Sequence, residues 1–229
     1  MPKARRQLVV LARWPAPGRC KQRLAASCGS SALAASMQRR LSWHTVHTAA
    51  DAAVACGTEL VLAASGLGPR ALRRWGQQLQ PSRSIALQLS LQRGGNLGCR
   101  MHRQLQAGFA RGMDAVVLIG SDLPDLNSSD LTQAFTQLET HDLVLGPAND
   151  GGYWLIGMTR QGLQRSGSAL FSGIPWSTPQ VLPLSLQRAT DCGLSVALLR
   201  PQSDLDGRAA LEPWLLVQRH LLHHPSWRP

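Results

Sequence analysis

Val116-Val117-Leu118-Ile119-Gly120-Ser121-Asp122-Leu123-Pro124-Asp125-Leu126 is the stretch that decides the fold class. Its apolar run is short and rich in β-branched residues, as in a strand buried on both faces. Gly120 and Pro124 end that run. Asp122 therefore stands just past the carboxyl end of a central strand, the edge where open α/β sheets bind their ligands. A carboxylate there suits a hard cation, Mg²⁺ or Mn²⁺, held against a phosphate. An Asp in this setting also caps turns, and the segment alone leaves both readings open.

Upstream, Gln7–Ala12 reads as a first buried strand. It leads into Arg13-Trp14-Pro15-Ala16-Pro17-Gly18-Arg19-Cys20-Lys21-Gln22-Arg23-Leu24, a loop shaped by two prolines and a glycine. Arg19, Lys21 and Arg23 place cations at alternate positions. With Gly18 allowing close backbone approach, the loop is suited to a diphosphate or to a plain basic turn. It is neither a Walker loop nor Gly-x-Gly-x-x-Gly. Residues 30–55 have helical spacing, with His44 and His47 reading as a surface or packing pair rather than metal ligands. A strand at Glu59–Ala64, a helix at Pro69–Leu79 and a strand at Ile85–Leu91 follow. Gln92-Arg93-Gly94-Gly95-Asn96-Leu97-Gly98 then opens a helix to about Gly112. The turn offers an anion site with Arg93 and Arg100 beside it, or an ordinary strand-to-helix turn.

Downstream of Asp122, Asn127 or Ser128 caps a helix to about Leu138. A strand at Asp142–Gly146 runs into Pro147-Ala148-Asn149-Asp150-Gly151-Gly152, and Tyr153–Met158 resumes an extended apolar run. Asp150 stands at that tight corner as a metal ligand, a general base or a turn former. Ser172-Gly173-Ile174-Pro175-Trp176-Ser177-Thr178-Pro179 is a rigid loop, and Thr178 and Pro179 start a helix to about Cys192. Leu194–Leu199 reads as a last strand before Asp204-Leu205-Asp206-Gly207 and a terminal helix to about Leu222. Strand, loop and helix thus alternate, with an antiparallel insertion near residues 143–158. The expected fold is a three-layer α/β sandwich on a mostly parallel central sheet, as one domain over residues 1–229.

Composition narrows the partners. Lys plus Arg exceed Asp plus Glu by 24 − 13 = 11, and Lys3 and Lys21 are the only lysines. The surplus favours anionic partners. It is scattered and has no aromatic interleaving, which disfavours a nucleic-acid patch. The five cysteines are odd in number and lack Cys-x-x-Cys, so a disulfide framework is not expected. The N-terminal apolar run is too short for a signal peptide or membrane span. A cytoplasmic protein is the expectation, and oligomeric state is left open.

Four blocks, in order, resemble the DUF2064 family: residues 11–24, Gly120–Leu126, Leu145–Gly157 and Leu170–Val181. The family is similar to GT-A-type nucleotide-diphospho-sugar transferases and to molybdenum-cofactor guanylyltransferase-type nucleotidyltransferases. The resemblance implies glycosyl transfer from a nucleoside diphosphate sugar to a small-molecule acceptor, of the kind proposed for arsenosugar biosynthesis. Nucleotidyl transfer from an NTP is the alternative, and a non-catalytic nucleotide- or nucleic-acid-binding protein a further one. A divalent metal is implied at Asp122 and Asp206. Ala12, Arg13, Pro17, Gly18, Arg19, Lys21, Arg23, Arg93, Gly95 and Ser121 are implied for nucleotide and phosphate. Gly151, Gly152, Tyr153, Trp176, Ser177 and Thr178 are implied for the acceptor or donor pocket, with Asp122 and Asp150 catalytic. The chain departs from the family pattern at Arg13 (Lys), Asn96 (Asp), Asn149 (Glu) and Gly207-Arg208 (Thr-Pro).

Overall fold

The computed structural model describes residues 4–81 and 85–204. Strands β1 (Arg6–Arg13), β2 (Glu59–Ser65), β3 (Leu87–Leu91), β4 (Ala115–Ile119), β5 (Leu143–Pro147), β6 (Tyr153–Thr159) and β7 (Val196–Leu198) form one sheet. Their order is β3-β2-β1-β4-β6-β5-β7. The pairs β3–β2, β2–β1, β1–β4 and β5–β7 are parallel, and β6 is antiparallel to both neighbours. The antiparallel insertion expected near residues 143–158 is thus the β5–β6 hairpin. Every residue of β4 is buried, as its unbroken apolar sequence requires.

Seven helices flank the sheet among the described residues: α1 (Gln22–Cys28), α2 (Ser31–Cys56), α3 (Pro69–Leu79), α4 (Leu97–Ala110), α5 (Ser128–Gln137), α6 (Arg160–Ser166) and α7 (Val181–Asp191). One face packs Val46, Ala49 and Ala53 of α2, Trp75 of α3 and Phe135 of α5 against β1, β2 and β4. The other packs Met101, Leu105 and Phe109 of α4 and Ala189 of α7. This is the three-layer sandwich. The small residues of α2 let that helix lie close to the sheet, burying Ala49 and Ala52 completely.

Two helices go beyond what the sequence pattern predicts. The Pro-Gly loop gives way to α1 at Gln22, where Leu24 packs on Ala34, Met37 and Leu41. At the other, α6 begins directly after β6, with the Thr159 side chain capping Gly162 N–H. Conversely, the helix expected from Thr178 starts at Val181, because residues 176–180 form turns and a bend instead. The terminal helix expected to about Leu222 lies outside the described residues. All five cysteines are free thiols. His47 stacks on Trp43 at 3.9 Å between ring centroids, and burial holds the His44 imidazole below its ordinary pKa. No helix among the described residues is long and apolar enough to cross a membrane.

Candidate active site

The carboxyl ends of β1, β2 and β4 open into a cleft of about 720 Å³, and the β5–β6 turn closes its far side. Asp122 leaves the end of β4 into this cleft. Its Oδ2 meets the Lys21 ammonium at 3.3 Å, and the Lys21 side chain is 1% exposed. Its Oδ1 is buried and takes no hydrogen bond from the described residues. An enclosed carboxylate oxygen without a donor is costly unless a cation or ligand uses it. Ser121 beside it is held by Gln38 of α2, whose Nε2 lies 3.1 Å from Ser121 Oγ.

The loop after β1 delivers Lys21 through unusual backbone. Among the described residues, the non-glycine residues at positive φ are Lys21 (φ 44) and Ser177 (φ 68), and both line the cleft. Such conformations cost on the order of 1–3 kcal/mol and gather at ligand sites. Arg13 and Arg23 join Lys21 on the wall. Pro17, Gly18 and Arg19 do not: they form the exposed outer turn, with Arg19 N–H on Ala16 O at 3.1 Å. The alternating cations therefore diverge, because the chain turns there rather than running extended. Cys20 is buried at the base, where burial pushes its thiol pKa up against the lowering effect of Lys21.

The opposite rim carries Asp150, whose Oδ1 accepts Gly152 N–H at 2.9 Å. Asp150 forms its turn and also lines the cleft. Gly151 is dictated by packing, since a Cβ there would lie 2.4 Å from Pro179 O, and its φ is +88°. Asn149 donates to Ser203 Oγ at 2.6 Å and so ties two loops together.

Tyr153, Trp176, Ser177 and Thr178 complete that side, with the Tyr153 and Trp176 rings edge-to-face at 6.3 Å. Burial pushes the Tyr153 phenol well above its ordinary pKa. Trp176 lies against Gly98 in the first turn of α4, where a Cβ would meet the indole at 2.4 Å.

Arg93 and Gly95 stand outside the wall. Arg100 takes the inward place, with its Nε donating to Gly95 O at 2.9 Å, and Arg103 donates to Gly94 O. Gln92 also lines the cleft and clamps Ala12 O and Ala63 O with its carboxamide. Gln38, Gln92 and Asp204 were not singled out as site residues from sequence. Polar residues inside an apolar helix or at a strand end were the signal available for the first two.

Asp206 lies outside the described residues, whereas Asp204 reaches the cleft wall. No group of three or more His, Cys, Asp or Glu side chains among the described residues forms a metal cluster. A divalent ion of the Mg²⁺ type needs only one or two carboxylates when phosphates and water supply the rest. The unpartnered Oδ1 of Asp122 fits that role.

The family profile described as "Uncharacterized protein conserved in bacteria (DUF2064)" matches residues 29–178. The chain belongs to this family. The DUF2064 match takes in the Asp122, Asp150 and Trp176 segments and begins after the cationic loop. No curated protein sequence matches the chain. Among solved structures, a provisionally assigned nucleotide-diphospho-sugar transferase from Desulfovibrio desulfuricans G20 is similar with a TM-score of 0.77. It is 24% identical, over 96% of both chains. The 4-diphosphocytidyl-2C-methyl-D-erythritol synthase of Anaerococcus prevotii DSM 20548 gives 0.60 at 9% identity, over 96% of this chain and 100% of that one. The inositol-1-phosphate CTP transferase of T. maritima gives 0.55 at 15%, over 94% and 96%. At these identities the likeness is one of fold: this DUF2064 chain has the nucleotide-diphospho-sugar transferase and nucleotidyltransferase architecture.

Proposed function

We propose that the cleft transfers a glycosyl group from a nucleoside diphosphate sugar to a small-molecule acceptor. The observation that carries this reading is the Asp122 carboxylate at the end of β4, one oxygen on buried Lys21 and the other unpartnered. A divalent cation held at Asp122, with Asp206 as its second carboxylate, would neutralise the diphosphate. Lys21, Arg13 and Arg23 face the same space and take up charge that grows on the leaving phosphate. Asp150, across the cleft, accepts the proton of the acceptor hydroxyl or orients it. Tyr153 stays protonated and, with Trp176, supplies a wall that shields the reacting groups from water.

Nucleotidyl transfer is the second reading, favoured by the fold likeness to the CTP-using enzyme of T. maritima. The two differ in products. Glycosyl transfer releases a nucleoside diphosphate from a nucleotide sugar, and nucleotidyl transfer releases pyrophosphate from an NTP. A thermal-shift screen of nucleotide sugars and NTPs with Mn²⁺ identifies the donor, since ligands raise the melting temperature by mass action. Chromatography of the products with that donor then decides. Pyrophosphate release without nucleoside diphosphate would overturn the first reading.

A further inference from the structure

A segment beyond the sheet's last strand braces both acidic loops of the cleft. After β7 the chain continues beside the β5–β6 turn, with Leu199 N–H on Leu145 O at 2.9 Å. Gln202 N–H then donates to Pro147 O and Asn149 N–H to Gln202 O, both at 3.0 Å. Residues 199–204 thus form a strap fixed to the loop that carries Asp150, and the strap ends at Asp204 on the cleft wall.

The strap is also fixed to the loop after Asp122, through one arginine. Arg200 Nε lies 2.6 Å from Asp130 Oδ1, and its Nη2 lies 2.7 Å from Oδ2 and 2.9 Å from Asp125 O. Gln202 Nε2 adds a contact to Asp130 Oδ2 at 3.0 Å. Asp130 is 4% exposed, and it already closes the capping box of α5 by accepting Asn127 N–H at 3.1 Å. A cap alone does not call for an arginine. A planar guanidinium on both oxygens of a fixed carboxylate sets angle as well as distance, which Lys cannot do. The Arg200 side chain is 45% exposed whereas Asp130 is 4% exposed, so water screens the arginine while the carboxylate depends on its bonds.

We propose that Arg200 is a positioning residue. Its two-point grip on Asp130 and its bond to Asp125 O fix the loop that follows Asp122 to the strap that braces the Asp150 rim, so that the Asp122 carboxylate is held in place for a cation. This rests on the reading of Asp122 as a cation ligand. Groups that orient a metal site without touching the metal commonly contribute 10–100-fold in affinity.

The test is Mn²⁺ titration of the full chain, followed by electron paramagnetic resonance of the free ion, on wild type, Asp122→Ala, Arg200→Gln and Arg200→Lys. Circular dichroism and thermal melting accompany each. The expected result is binding by wild type, loss in Asp122→Ala and about tenfold weaker binding in Arg200→Gln with its fold retained. Arg200→Lys is expected to keep the melting temperature while recovering little of the affinity. Wild-type affinity in a folded Arg200→Gln, with loss in Asp122→Ala, overturns the positioning role alone. If Arg200→Gln does not fold, Arg200→Lys decides: weakened binding supports the role and unchanged binding overturns it. Equal binding by Asp122→Ala and wild type, or none by wild type, overturns the cation reading beneath it.

Discussion

The two walls of the cleft are built on opposite plans. The loop after β1 is tied mainly to itself: Ala16 N–H to Trp14 O, Arg19 N–H to Ala16 O, the Arg13 guanidinium to Arg19 O and the Gln22 carboxamide to Gly18 O. The Asp150 rim is tied to its surroundings. Asn149 N–H reaches Gln202 O, Leu182 N–H reaches Gly151 O, and Asn149 Nδ2 reaches Ser203. Outside itself that loop is held by Trp14 N–H on Ser65 O and by Lys21 on Asp122, and a loop with fewer such ties opens at lower cost than a cross-braced rim. The cationic wall is suited to closing on a flexible diphosphate, and the acidic rim to holding a fixed line for the acceptor.

Substitutions in the two walls test this contrast. On the cationic wall, Lys21→Ala is expected to lower kcat/KM roughly a hundredfold or more, as loss of a charge-stabilising donor does. Arg19→Ala, on the exposed outer turn, should leave kcat/KM within about threefold. Equal losses at both positions would break the distinction between inner and outer cations.

On the rim, Gly151→Ala forces a Cβ into Pro179 and a side chain into positive φ. It is expected to cost about 3 kcal/mol, a fall of roughly 10 °C in Tm for a domain of this size. Calorimetry checks it, and an unchanged Tm would show that the rim yields as easily as the opposite loop. Gly98→Ala should displace the Trp176 indole and raise the acceptor KM by about tenfold, with donor binding preserved. Steady-state kinetics with each substrate varied separates the two.

Acid sensitivity sharpens the comparison last. Burial raises the Asp142 carboxyl pKa, but bonds from Ser195 N–H and Oγ and the Arg165 pair outweigh it and hold it below the ordinary 3.8. This group joins the base of β5 to the segment entering β7, and so steadies the strap beyond. A lowered folded pKa stabilises above the unfolded value and is lost as pH falls through the folded one. Wild type should therefore lose stability below about pH 4. Asp142→Asn should melt about 5 °C lower at pH 7 and show a smaller further drop on acidification.

Much of this architecture is legible in the chain. The apolar run before Gly120 determines a strand buried on both faces, and the turn after it places Asp122 at the edge where ligands bind. Asp-Gly-Gly at 150–152 marks a hairpin corner because Gly151 must lie on Pro179. The divergence of Arg19 from Lys21 was not legible, because it depends on a left-handed residue that is a lysine rather than a glycine. Nor was the reach of Gln38 to Ser121, a contact between residues 83 positions apart. Arg200 was silent for a related reason. Its meaning comes from a carboxylate 70 residues away, on a helix for which the sequence marks only the Asn127 or Ser128 cap.

The most direct test of the central claim is isothermal titration of the identified nucleotide donor into wild type and Asp122→Ala, each with and without Mn²⁺. Wild type should bind the donor at least tenfold more tightly with Mn²⁺, and the mutant should show no Mn²⁺ dependence. Identical Mn²⁺-dependent affinity in the two proteins would contradict the assignment of Asp122 and the site built around it.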